Sequence, residues 1–278
     1  MLAVKIFQGD PDALNSVVIG HVETNESTCG IEVALYQGIA LSNHQIERIA
    51  ALPSKNKILH TYHRVIGLTE LEREDSSSLT RLIAESDVAK AMGISKAVVH
   101  SVTFADKRQG LPSARKSAGS WVKSLERMHA LGLRAHLENT TEPLSWHQEL
   151  FDEWDKLGVQ ELGGFTLDIG HVRVWSDNAL NEWLDFTKQI KSRGFGIHFH
   201  IHANHGEFDE HMSLSRAFQE DLLEPSEEWA PKGLIPWLVK AMQEHPESLF
   251  TLENPAHEAL ENWEFTRFMF NEETLNHF

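Results

Sequence analysis

The chain has 278 residues, 41% of them hydrophobic, and its 25 basic and 41 acidic side chains give a formal charge of −16 with histidine neutral. That length excludes a disulfide mini-protein and suits one barrel-sized domain of roughly 250 residues. No apolar run approaches the ~20 residues of a membrane span, the lone Cys29 excludes an internal disulfide or a thiolate zinc cluster, and the acidic balance disfavours broad attachment to DNA or anionic lipid.

Near the N-terminus two runs compete for the first strand, Leu2 to Phe7 and Ser16 to Val22. No clear helix pattern separates them from the next strand, so the first βα unit reads as irregular. The run Gly30 to Tyr36 is followed by a helix that Ser42 and Gln45 open as a capping box. Lys57 to His60 precedes an apolar stripe of Leu79, Leu82, Ile83 and Met92 that stops at Gly93. Ala97 to Ser101 precedes Trp121, Leu125 and Met128, closed by Gly132. After Leu133 to Glu138, Ser145 and Gln148 read as a second capping box. Gly164 to Asp168 leads to Leu180, Trp183, Leu184 and Ile190, closed by Gly194. Gly196 to His202 is followed by a helix near Leu234 with Pro236 in its first turn, and Ser248 to Glu253 ends the series. Short strands alternating with longer helices predict a (β/α)8 TIM barrel with a parallel sheet, residues 1–278 forming a single domain. No leader pattern precedes the first strand, so a cytoplasmic location is expected.

The 17 histidines find their explanation at the strand ends. Leu59-His60, Val99-His100, Leu137-Glu138, Leu167-Asp168, Phe199-His200 and Leu252-Glu253 each place an apolar residue before a metal-capable one. Alternation along a strand sends the apolar member outward and the polar one into the barrel, at the C-terminal face where barrel enzymes carry their sites. His171 lies just beyond Asp168, and Asp209-Glu210-His211 follows the histidine-rich strand. Nitrogen and oxygen donors without sulfur suit Zn, Mn, Co, Fe or Mg, and such a group of carboxylates needs cations to neutralise it. Of His198, His200 and His202, all on the inward parity, His200 is the expected ligand. His198 lies a layer deeper as hydrogen-bonded support, and His136 lies similarly below Glu138. His202 at the rim and His63 are candidate substrate contacts, although His63 and His205 also read as ordinary loop residues. His21, His44, His129, His147, His245, His257 and His277 fall on helical or terminal segments, where a solvated face is the default.

Taken together, His60, His100, Leu-Glu-Asn-Thr140, Leu167-Asp-Ile-Gly-His171, His198-Phe-His-Ile-His202, Asp209-Glu-His211 and Leu252-Glu-Asn-Pro255 resemble the xylose-isomerase-like barrel superfamily over about residues 30 to 255. The resemblance implies one to three divalent ions per chain and two alternative uses of the mouth. In the isomerase and epimerase manner, Glu138, Asp168, His200 and Glu253 hold one ion, Glu138 and Glu253 move the proton beside a carbonyl, and His171 contacts substrate. In the manner of the class II apurinic endonucleases, His60, His100 and Glu138 hold a first zinc, Glu138, Asp168, His200 and Glu253 a second, and His171, Asp209 and His211 a third. Three departures speak against the endonuclease: Ser101-Val102 after His100, Ala203 three residues after His200, and Glu210 where an arginine is usual. The basic cluster nearest the mouth is Lys107, Arg108, Arg115 and Lys116. The expected activity is therefore a metal-dependent isomerase or epimerase acting on a small carbohydrate, with a trinuclear phosphodiesterase or a dehydratase as alternatives. Nucleic acid and membrane are not expected partners, and homo-oligomeric assembly stays open.

Overall fold

Parallel strands covered on both faces are apolar nearly throughout, and β1 (Leu2–Phe7) and β2 (Cys29–Ala34) follow this except for one buried charge each, Lys5 and Glu32. They pair in register from Leu2 with Cys29 to Phe7 with Ala34. β3 (Lys57–His60), β4 (Lys96–His100), β5 (Arg134–Glu138), β6 (Gly163–Asp168), β7 (Gly196–Ile201) and β8 (Phe250–Leu252) follow in order, all parallel, and β8 returns to pair with β1. The sheet is a closed eight-stranded TIM barrel. This computed structural model describes residues 1–7, 10–35, 41–61, 77–101, 110–220 and 228–276.

The helices between the strands are α1 (Asp12–Thr24), α2 (Asn43–Ala51), α3 (Ser77–Ala91), α4 (Ala114–Ala130), α5 (Leu144–Leu157), α6 (Ile169–Trp175), α7 (Leu180–Ser192), α8 (Leu214–Gln219), α9 (Pro231–Glu244) and α10 (Ala259–Asn276). The first βα unit is regular, which corrects the expectation of an irregular one. Val17, Val18 and Ile19 gave Ser16 to Val22 a strand-like composition, but Asn15, Val18, Ile19 and Val22 are the buried positions, at helical spacing along α1. The capping box of Ser42 and Gln45 is present at the start of α2. Ser145 caps nothing, because Pro143 already ends the loop and α5 begins at Leu144. Pro236 sits inside α9 rather than in its first turn.

The main apolar core lies between the sheet and its helices, where Phe199 stacks on Phe250 with centroids 4.2 Å apart and Trp121, Trp154 and Trp183 are fully buried. His147 and His245, expected on solvated faces, are buried in this layer among Trp146, Phe165, Trp183 and Phe199. Burial holds both imidazoles down at about 4, so they are neutral. The barrel interior differs from the usual layers of Val, Ile and Leu. A small apolar group of Ala3, Ile58, Val98 and Leu249 is followed toward the mouth by Lys5, Glu32, His60, His198 and His200.

Candidate metal centre

The strand-end residues converge as the alternation requires. Among the described residues four groups of donors each lie within 4.8 Å: His60, His100 and Glu138; Glu138, Asp168, His200 and Glu253; His171, His202, Asp209 and His211; and, deeper, Glu32, His60 and His200. The first two are fully buried and share Glu138, while Asp209 and His211 at the outer end are partly exposed. All nine sequence-expected donors are among them. His202 is also there, buried rather than at the rim, with Nε2 3.0 Å from Asp168 Oδ1. His63, His277 and the basic residues Lys107 and Arg108 lie outside the described residues. Arg115 is exposed and turns to Glu153 on α5 at 3.6 Å.

Local structure fixes each donor. Asp168 ends β6 and caps α6, its Oδ1 accepting from the His171 backbone N–H at 2.7 Å. Asn139 brackets Asp168 through both of its backbone groups, at 3.0 and 2.7 Å. The Asn139 carbonyl also takes His171 Nδ1 at 2.7 Å, so Nε2 of that ring faces Asp209 at 3.3 Å. The loop after β7 is folded back by paired backbone bonds between Ala203 and Met212 at 2.8 and 2.9 Å. That return carries Asp209 and His211 to the mouth, with His211 in the left-handed region at φ 51° and its ring stacked on His202 at 4.4 Å. A non-glycine residue held there is strained, and such strain clusters at functional sites. Glu210 belongs to the loop instead, accepting from His205.

Beneath the donors lie two charges that the strand-end pattern missed. Glu32 Oε1 lies 3.0 Å from both Lys5 Nζ and His60 Nδ1, and Oε2 takes His198 Nε2 at 2.9 Å and His200 Nε2 at 3.0 Å. Lys5 also contacts His60 Nδ1 at 2.6 Å and makes an ion pair with Glu253. With Glu32 holding its Nε2, His200 turns Nδ1 toward Glu253 at 2.8 Å, Glu138 at 3.1 Å and Asp168 at 3.7 Å. A carboxylate on the far nitrogen of a ligating histidine is the usual device for fixing its orientation. His60 is held in the same way, with Nε2 facing Glu138 at 3.7 Å. Their signal was in the sequence: a single charge inside an otherwise apolar strand, on the inward parity.

Electrostatics follow from this crowding. Burial opposes every charge here, yet His200 holds Glu32, Glu138 and Glu253 well below the ordinary carboxylate range, with Lys5 adding to it at Glu32 and Glu253 and His100 at Glu138. Burial likewise pushes the His171 imidazole down, but Asp168, Asp209 and Glu138 raise it to about 10. His200 is raised well above its ordinary value against the same penalty by Glu253, Glu32 and Glu138. His198 moves the other way, to about 4, because burial outweighs Glu32. Protonated imidazoles and Lys5 thus balance the carboxylates. The set fits divalent cations: it is rich in N and O donors, and Glu138 Oε2, Glu253 Oε2 and Asp209 Oδ1 are buried without a well-formed hydrogen bond among the described residues.

A family model described as a xylose isomerase-like TIM barrel matches residues 29–269. The uncharacterized protein MJ1614 of Methanocaldococcus jannaschii is 30% identical over 119 residues, 38% of this chain and 43% of that protein, so the match spans under half its length. Among solved structures, the fold is similar to the TTHB071 protein of Thermus thermophilus soaked with ZnCl2, with TM-score 0.64, 19% identity and 98% of both chains covered. A D-tagatose 3-epimerase-like protein aligns with TM-score 0.62 and 16% identity over 98% of this chain and 99% of that one. Endonuclease IV from Thermus thermophilus aligns with TM-score 0.60 and the same identity and coverage.

Proposed function

The chain belongs to the xylose isomerase-like TIM barrel family, and from that premise we propose that it is a divalent-metal-dependent isomerase or epimerase acting on a sugar or sugar phosphate. One observation carries the reading: two buried carboxylates, Glu138 at the end of β5 and Glu253 just past β8, approach His200 Nδ1 from opposite sides around the barrel, at 3.1 and 2.8 Å. Glu138, Asp168, His200 and Glu253 would hold the cation, which supplies Lewis-acid polarisation of a carbonyl and so acidifies the neighbouring C–H.

The chain's own residues do the rest. One carboxylate accepts the proton beside the carbonyl, and the acid so formed returns it at the next carbon, or through its partner on the other face, so the proton taken from the substrate is the one given back. Lys5 and His200 hold Glu253 as the anion, and His200 and His100 hold Glu138 as one, so both start as proton acceptors. His171 and His202, between these carboxylates and the outer loop, meet the substrate hydroxyls. A second reading, phosphoester hydrolysis at a three-ion centre, draws on the outer group, because isomerisation gives Asp209 and His211 no metal to hold.

Deuterium wash-in and metal analysis test the reading together. Ketoses or ketose phosphates incubated with the enzyme in D2O are expected to gain deuterium beside the carbonyl, with one tightly held ion per chain. Glu253→Gln is expected to lower exchange at least about a thousandfold with an unchanged circular dichroism spectrum. Three tightly held ions, hydrolysis of a nitrophenyl phosphodiester and no wash-in would replace isomerisation with hydrolysis.

A further inference from the structure

The lower end of the barrel, opposite the mouth, holds a charged cluster that the chemistry above leaves unused. Lys96 opens β4 and Arg134 opens β5, and the ladder pairs the two directly. Like charges at one register position repel each other. Arg134 is fixed in place, Nε donating to the Gly163 carbonyl at 3.0 Å and Nη2 to those of Gln160 and Gly194 at 2.6 and 3.1 Å. Lys96 makes no hydrogen bond or ion pair among the described residues, although it is largely withdrawn from solvent. Burial and the neighbouring guanidinium both push its ammonium below the ordinary lysine range.

These side chains face a cavity of about 340 Å³ that also reaches Lys191, Glu247 and His136. Lys191 pairs with Glu247 at 2.8 Å, so among the residues lining the cavity the excess is positive, with Glu247 and, from outside the lining, Glu161 partly offsetting Lys96 and Arg134. At its inner end His136 is 2% exposed, and neither ring nitrogen has a well-formed hydrogen bond among the described residues. An imidazole bears at least one N–H in either protonation state, so His136 has one to donate. The room is built into the strands. A Cβ on Gly164 would come within 2.7 Å of the Gly196 carbonyl oxygen and 2.9 Å of the His136 ring, and a Cβ on Gly196 would meet the same ring at 2.9 Å.

We propose that this lower cavity is a binding site for a phosphate-class dianion, with Lys96 and Arg134 as its charge partners and His136 as an N–H donor from the inner side. Three separate donor side chains on one cavity suit an oxyanion with several acceptor oxygens, and an anion between Lys96 and Arg134 removes the repulsion their register creates. On a chain of charge −16 this is a local inversion of sign, at the end of the barrel remote from the metal donors. The anion is inorganic phosphate or the phosphate of a small monoester, since the cavity has volume for a short organic tail.

Isothermal titration calorimetry on the full, metal-free chain tests this, because without cations the mouth has no metal to ligate a phosphate. Inorganic phosphate, glycerol 3-phosphate and glycerol are titrated separately at low ionic strength. One phosphate or phosphomonoester is expected per chain, with no heat from glycerol. Lys96→Met is expected to weaken binding at least about tenfold and Lys96→Arg to restore it, with Lys96→Gln substituted if the methionine variant does not fold. Tighter binding of glycerol 3-phosphate assigns the site to a monoester, and equal or weaker binding assigns it to free phosphate. Absence of saturable heat from either anion up to about 10 mM, or identical titrations of wild type and the neutral Lys96 variants, would overturn the proposal.

Discussion

A lysine with no exposed surface, set among carboxylates and histidines, is the residue-scale feature that most shapes the centre. Lys5 contacts Glu32, His60 and Glu253, and without added cations it is one of the positive charges that make this cluster of carboxylates tolerable. Removing one partner of a buried ion pair leaves the other uncompensated. Lys5→Met is therefore expected to destabilise the metal-free protein by about 3–5 kcal/mol in urea unfolding. The loss should shrink once zinc is added, because the metal supplies replacement charge to Glu253. An equal loss with and without zinc would mean that Lys5 packs rather than compensates. Six of the nine candidate donors were legible because strand parity and strand ends are properties of local sequence, while His171, Asp209 and His211 were legible only as polar residues shortly after a strand. Lys5 and Glu32 were legible only as oddities, a charge inside an apolar strand. That they meet His60, His198 and His200 depends on which strands face each other across the barrel, information no local window contains.

At the scale of elements, the same division holds. Helix α1 escaped sequence reading because its β-branched run imitates a strand, and only burial on the pitch of a helix settles the matter. The stops at Gly93, Gly132 and Gly194 were legible, since each takes positive φ at 66°, 84° and 98°. Less legible is the contact between the first turn of α6 and the end of β7. A Cβ on Gly170 would overlap the His202 ring, so the helix reaches the strand only with glycine there. Gly170→Ala is expected to cost about 1–3 kcal/mol and to displace His202. Zinc titration of that variant should still show one tightly held ion, at Glu138, Asp168, His200 and Glu253, and its kinetics a raised KM, because His202 meets the substrate. A crystal structure of the variant with His202 unmoved would show that the wall has more give than this packing implies.

For the molecule as a whole, the charge count becomes a pH profile. In the metal-free chain Glu138, Asp168 and Glu253 are lowered from ordinary values near 4, and their contribution to stability is present above those values and lost as pH falls through the lowered ones. His171 and His200 are raised, His171 to about 10, so their contribution is complete below 6.5 and is lost as pH rises toward 10. Both contributions coexist between about pH 4.5 and 6.5, and the chelated protein should melt highest there. Cation binding needs neutral imidazole and releases protons, so zinc should move the melting maximum above pH 7. Thermal scans from pH 4 to 9 with zinc and with chelator check the crossing of the two curves; parallel curves would remove these imidazoles from the ligand set. In the structure no described helix is long and apolar enough to cross a membrane.

The ion pair between Lys5 and Glu253 joins residues 248 positions apart, across the seam where β8 closes on β1. Contacts of such separation form late, because the loop entropy of nearly the whole chain precedes them. Until β8 arrives, Lys5 and Glu32 stand on an open sheet edge in water, where both are well solvated. Closing the seam strips that water away and leaves Lys5 to Glu32, Glu253 and His60, and Glu32 to Lys5 and the histidines. The seam therefore carries its own register penalty: a β8 shifted by one residue would send Glu253 outward and leave Lys5 with Glu32 as its one carboxylate partner.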